Sequence, residues 1–303
     1  MDFSRPTAAH LLVFAGSFAM VGVSTALALQ GGATPLTVVT LRSIGALIIF
    51  VAYFRLARIP WALSRRDRFT AFGIGIPLCV NTYCINAAIA EIPVPLAILI
   101  FYLWPAIVSA FTWLRGAERF RWRAFCGLLF AFVGLALALN VDMSAAQASG
   151  VLLAVISAFS WATVFLLMNT LFAGRDTRPV TLHMAFLVTL VFVIASALAG
   201  TVTLPVNRVG WVGIAGVTLF YAFATIGLFA ATVHLGAMRT GFFMNFEPIA
   251  TLLLSALILG QHLAPVQLLG AGLVLAALFL FRPPPRIAAA LAAKPRPGDG
   301  GAG

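Results

Sequence analysis

The stretch that decides the fold is Ala90–Glu118, AEIPVPLAILIFYLWPAIVSAFTWLRGAE, echoed 143 residues later by Val233–Gln261, VHLGAMRTGFFMNFEPIATLLLSALILGQ. At that offset Pro105 falls on Pro248, Trp104 on Glu247, Tyr102 on Asn245 and Glu118 on Gln261. The flanks follow, with Ala87 and Ala88 on Ala230 and Ala231, and Gly127 on Gly270. Each copy is apolar enough to span a bilayer and carries a proline in mid-span. A repeated, proline-interrupted span points to a solute site between two halves of a membrane protein.

The rest of the chain agrees. Of its 303 residues 62% are hydrophobic and 9% charged, and the mean hydropathy is +1.06. A soluble domain is nearer half apolar and a quarter charged. With about 20 apolar residues needed per spanning helix, the chain divides into ten runs, near 9–29, 35–54, 69–90, 94–114, 123–140, 150–172, 180–200, 207–231, 238–260 and 265–282. Between them stand turn and breaker residues: Gln30-Gly31-Gly32, Pro60, Pro93, Gly116, Gly174 and Pro205. The first run ends in TALALQ, faintly like a leader-cleavage site, but the repeat needs it as a span. The Pro- and Gly-rich tail, 283–303, is predicted to be disordered and cytoplasmic.

A net charge of +11 invites a nucleic-acid reading, which needs a basic patch on a soluble fold. Here the basic residues sit in short loops, where they act as topology signals. With the N-terminus in the cytoplasm, 17 of 19 basic residues are cytoplasmic: Arg5; Arg55, Arg58, Arg65, Arg66 and Arg68; Arg115, Arg119, Arg121 and Arg123; Arg175 and Arg178; Arg239; and Arg282, Arg286, Lys294 and Arg296. Arg208 lies outside and Arg42 within the second run. Five spans per repeat is an odd number, so the second repeat runs upside down relative to the first. The expected fold class is an all-α integral membrane protein with ten transmembrane helices. They form two inverted five-helix repeats, residues 1–143 and 144–282, with both termini cytoplasmic. Such a pair closes around a pseudo-two-fold axis in the membrane plane and leaves a cavity near its midplane.

Cys79, Cys84 and Cys126 lie in apolar runs and read as small buried hydrophobes, not as a disulfide or metal framework. No metal-ligand cluster, phosphate-binding loop or Ser-His-Asp set is present. The expectation is therefore a chain that is not an enzyme, takes no cofactor or metal, and works as a monomer in a lipid bilayer on a small molecule, without nucleic acid.

Ten spans in two inverted fives, a mid-span proline in the fourth and ninth, and the Glu247-Pro248 pair resemble the EamA-type drug/metabolite transporter superfamily, over residues 9–282. Tyr102-Leu103-Trp104-Pro105 is similar to the fourth-helix segment of YddG-type aromatic amino-acid exporters. The resemblance implies a bacterial inner-membrane exporter of aromatic and other neutral amino acids, working by alternating access. It also implies a cavity lined by helices one, three, four, six, eight and nine. The chain departs from the pattern where Trp104 takes the place of an acid before the first proline, which favours a site specialised on each side.

The candidate site residues follow from cost. Proline in a span frees a backbone carbonyl, tolerated beside a cavity or polar neighbour. Tyr102 and Trp104 lie there, half-way through their run, where they can stack on a substrate ring and donate to its polar end. Trp161 lies near the middle of the sixth run, and Tyr221, a weaker candidate, in the eighth. Asn81, Tyr83 and Asn86 put three polar groups within six residues of the third run, so part of that face is expected to look inward. Asn245 lies beside the second interruption, poised for a carboxylate or amine. Glu247 is the acid well inside a span: a counter-charge or proton carrier, or else a structural partner of Arg42 or a cap for backbone freed at Pro248. His183 and His234 read as boundary residues. If Glu247 is a counter-charge, the alternative cargo is another small metabolite or a lipophilic cation.

Overall fold

The computed structural model describes residues 7–116, 120–140, 147–200, 202–260 and 262–280. Glu118, Gln261 and the predicted disordered tail lie outside them. Among the described residues the chain forms helices only: α1 Ala8–Gln30, α2 Pro35–Leu56, α3 Arg65–Glu91, α4 Val94–Phe101, α5 Trp104–Leu114, α6 Trp122–Ala138, α7 Ala148–Leu171, α8 Arg178–Ala199, α9 Arg208–Leu235, α10 Ala237–Met244, α11 Phe246–Leu259 and α12 Pro265–Leu280. Local chemistry sets their starts. The side chains of Thr34, Ser64 and Asn207 accept from the backbone N–H groups of Thr37, Asp67 and Gly210. Each ties down a first-turn N–H with no partner inside the helix. Pro35, Pro105 and Pro179 stand in first turns, where the missing N–H costs nothing.

The repeat is visible in the helix bounds. Shifted by 143 residues, α2 lands on 178–199, the bounds of α8, and α4 lands on 237–244, the bounds of α10. The packing repeats too. Helix α1 lies along α9 as α3 lies along α7, α2 packs on α9 as α8 packs on α3, and α1 meets α10 and α11 as α7 meets α4 and α5. The pairs α2–α8 and α6–α12 join each helix to its own counterpart. These main contacts are thus kept when the two halves are exchanged, whereas the α5–α10 and α7–α9 contacts have no comparable counterpart.

Among the described residues eight stretches are long and apolar enough to cross a membrane, with α4–α5 and α10–α11 counting as one each. The fifth and tenth runs form shorter apolar helices of 17 and 16 residues. At about 1.5 Å per residue they are roughly 25 Å long, a little under the hydrocarbon thickness. The outer surface is apolar: Leu56, Leu114, Leu198 and Leu257 are each more than 80% exposed. A water-soluble surface avoids such contiguous apolar area, whereas lipid receives it without cost.

Small residues let the backbones touch. A Cβ on Gly270 would lie 2.2 Å from the Ala138 backbone nitrogen, and one on Gly213 would lie 2.4 Å from that of Ala28. Buried polar pairs add direction. Thr40 and Ser196 share a 2.7 Å hydrogen bond between α2 and α8, and Thr189 donates to the Ser43 carbonyl at 3.0 Å. At one end of the bundle Arg175 donates through both terminal nitrogens to Asp67, at 3.1 and 2.7 Å, joining the α7–α8 connection to the start of α3.

Candidate functional site

The prolines act where the sequence places them. Helix α4 stops at Phe101, Tyr102 and Leu103 form a turn, and α5 restarts at Trp104 with Pro105 in its first turn. Helix α10 stops at Met244, and α11 restarts at Phe246 after the single residue Asn245. Each break frees carbonyls at the end of one half-helix and N–H groups at the start of the next, deep in an apolar bundle. Asn245 answers this locally: its buried amide donates to the carbonyls of Gly241 and Phe242 at 3.2 and 3.0 Å. Glu247 sits in the first turn of α11, where the helix dipole favours a carboxylate.

Tyr102 and Trp104 are both buried, at 5% and 1% exposure. Tyr102 packs edge-on against Phe101, and its buried hydroxyl lies against the Glu247 carboxyl. Trp104 lies 4.5 Å from the Phe165 ring, and a Cβ on Gly241 would approach it to 3.0 Å. Trp161 continues the cluster, 5.3 Å from Phe165, 6.4 Å from Phe229 and 6.5 Å from Phe101. The expected open stacking platform is, in this conformation, a packed aromatic core built from both halves.

Other candidates fall elsewhere. Tyr83 is 66% exposed on the outer face of α3, away from this core: the long apolar helix buries Asn81 and Thr82 instead. Asn81 is buried, but its amide is spent on α7, donating to Ser157 Oγ at 2.8 Å and to the Ser157 carbonyl at 3.2 Å. Asn86 turns back onto the Thr82 carbonyl. The expected Arg42–Glu247 pair is not formed. The Arg42 guanidinium lies 4.2 Å over the Tyr221 ring, and the ion pairs among the described residues are Arg175–Asp67 and Arg178–Asp176. His183 and His234 each bond a carbonyl one turn back, Pro179 and Ala230.

Tyr221 forms one wall of a small cavity between α2, α3, α8 and α9, with Ser43, Leu78, Thr181, Thr225 and Phe229 among the others. Its volume is ≈ 10 Å³, room for about one water. Thr225 escaped the sequence reading, although it stands one helical turn from Tyr221 on the same face of α9. Phe229, another turn on, links this cavity to the Trp161 cluster.

Interrupted helices paired across a two-fold repeat, with unpaired charges inside the spans, define a membrane transport protein. The EamA-like transporter family matches residues 7–140 and again 148–282, and the chain belongs to that family. The chain's apolar helices suit a multi-pass membrane protein. The threonine/homoserine exporter RhtA of Escherichia coli strain K12 is 28% identical over 264 residues, covering 82% of this chain and 85% of RhtA. RhtA of Escherichia coli O157:H7 gives the same figures. One crystal structure of a protein superposes with a TM-score of 0.76 at 16% identity, covering 89% of this chain and 96% of the other, a likeness of fold alone.

Proposed function

We propose that the chain is a secondary transporter that exports neutral amino acids, aromatic ones included, from the bacterial cytoplasm by alternating access. The observation that carries this reading is the pair of interrupted spans meeting around Tyr102, Trp104, Asn245 and Glu247. Half-helix ends offer a solute both N–H groups and carbonyls, which suits the two charged ends of a zwitterion. The similarity to threonine/homoserine exporters supports amino acids as the cargo. In the proposed frame, residues 1–143 and 144–282 are inverted five-span repeats, both termini are cytoplasmic, and α6 and α12 complete the ten spans. The packed aromatic core and the nearly filled cavity then belong to a closed conformation, and rocking of one half against the other opens a path. Trp104, Trp161 and Tyr102 contact the side chain of the cargo. Asn81 and Tyr83 are left out, since one is spent on α7 and the other faces outward.

The test is a competition panel of amino acids against labelled substrate in proteoliposomes, with and without a pH gradient. Neutral amino acids should compete, and Tyr102→Ala or Trp104→Ala should slow flux at least about tenfold, the cost of one good substrate contact. Unchanged flux in both variants would remove the interrupted span from the site.

One observation favours a second cargo. Glu247 has no ion-pair partner among the described residues and has the Tyr102 hydroxyl against it. A lipophilic cation or cationic metabolite would find a counter-charge there. Glu247→Gln separates the readings: it abolishes transport of a cation, but leaves a zwitterion's flux measurable.

A further inference from the structure

We infer that Ser43, Tyr221 and Thr225, which line the cavity between α2, α3, α8 and α9, form a carboxylate-binding site with Arg42, which stacks on Tyr221, and that it takes the α-carboxylate of the transported amino acid. This rests on the transport reading above. It places the acidic end of the cargo at a different group from the interrupted helices.

The first observation is a hydroxyl with nothing to do. Thr225 is 5% exposed, lines the cavity, and its Oγ1 has no hydrogen-bond partner. In an apolar helix such a hydroxyl ordinarily donates to the carbonyl four residues back. Its neighbours do so: Ser43 to Val39, Thr181 to Thr177 and Thr232 to Leu228, at 2.7 to 2.9 Å. Thr225 keeps its donor free beside the cavity, at the cost of an unmet polar group.

The second observation is a guanidinium without an anion. Arg42 precedes Ser43 on α2, its Nε is buried without a partner, and no carboxylate pairs with it among the described residues. Arginine stays charged at any physiological pH, and an unpaired charge inside a span is expensive. The Tyr221 ring, itself part of the cavity wall, lies 4.2 Å beneath the guanidinium and offsets part of that cost through its negative face. What this arrangement lacks is a planar anion with two oxygens, which a guanidinium receives through two parallel N–H···O bonds. Thr225 supplies a third donor. Phe50, Phe229 and Val188 make the remaining walls apolar, which strengthens any charge pairing inside. With room for about one water, the cavity admits a carboxylate only when α2 and α9 move apart, as an alternating cycle requires.

The test uses the purified full-length protein and three probes: L-threonine, L-threoninamide and propionate. Thermal unfolding in detergent measures binding, and competition against labelled threonine in proteoliposomes measures transport. In the wild type, threonine should compete at least about tenfold better than its amide, as charged hydrogen bonds warrant, and propionate should raise Tm. Arg42→Gln should erase that preference and the propionate shift. Arg42→Lys should retain the preference at weaker affinity, because an ammonium lacks the fork. Thr225→Val should weaken carboxylate binding severalfold and leave amide binding alone; it decides the matter with Arg42→Lys if Arg42→Gln does not fold. An undiminished preference for the free acid in Arg42→Gln, or in both other variants, overturns the site while leaving transport intact. A propionate shift lost in Arg42→Gln, in a protein that exchanges no amino acid, upholds the site and overturns the transport reading.

Discussion

Asn81 allows the sharpest energetic prediction, because its partner is a single residue. Its side-chain amide donates to Ser157 Oγ at 2.8 Å and to the Ser157 carbonyl at 3.2 Å, and Ser157 Oγ donates to the Asn81 carbonyl at 3.3 Å. Both residues are buried, so lipid and water offer no substitute partner. Interhelical hydrogen bonds inside a membrane average about 0.6 kcal/mol and reach about 1.7 kcal/mol. Asn81→Ala removes two of them, so it should destabilise by roughly 1–3 kcal/mol. Ser157→Ala removes the shorter of these and its own 3.3 Å bond to the Asn81 carbonyl. The double variant should therefore lose less than the sum of the two, by roughly 0.5–1.5 kcal/mol. Reversible unfolding in mixed detergent–SDS micelles reads all four corners of the cycle. Substrate preference should be untouched in every variant that folds. Additive losses, or a changed preference with no loss of stability, would return Asn81 to the substrate site.

Three further outcomes follow from the same geometry. Gly270→Ala should destabilise by about 1–3 kcal/mol by forcing α6 and α12 apart, whereas Gly272→Ala, which meets nothing within 4 Å, should be neutral in the same unfolding assay. Tyr102→Phe takes the hydroxyl away from the buried Glu247 carboxyl, so it should lower Tm and slow amino-acid exchange; an unchanged Tm with normal exchange would show that this contact serves neither. Asp67→Asn breaks the two-pronged contact with Arg175 and should speed opening at that end of the bundle, read as faster labelling of a cysteine placed at Phe72.

Much of the fold was legible because lipid allows few solutions: an apolar run of about 20 residues has to be helical. The breaks at Tyr102 and Asn245 were legible too, since proline cannot continue a hydrogen-bonded helix. Facing was harder. On α3, Tyr83 and Asn81 are neighbours of similar polarity, and a helix apolar on nearly every side carries little periodicity to say which turns inward. Arg42 and Glu247 look like partners because they are the in-span charges of opposite sign, yet each sits against a tyrosine, Tyr221 and Tyr102. Pair geometry across distant helices leaves no local trace in a chain. Thr225 had one clue, its helical spacing from Tyr221, but a lone threonine in a span usually bonds its own backbone and draws no notice.

Counterflow tests the central claim most directly. Proteoliposomes loaded with unlabelled neutral amino acid and diluted into labelled amino acid should accumulate label transiently, because one site faces each side in turn. Label that merely equilibrates at a rate indifferent to internal amino acid, or never enters while the protein remains folded, would contradict a carrier with a single alternating site.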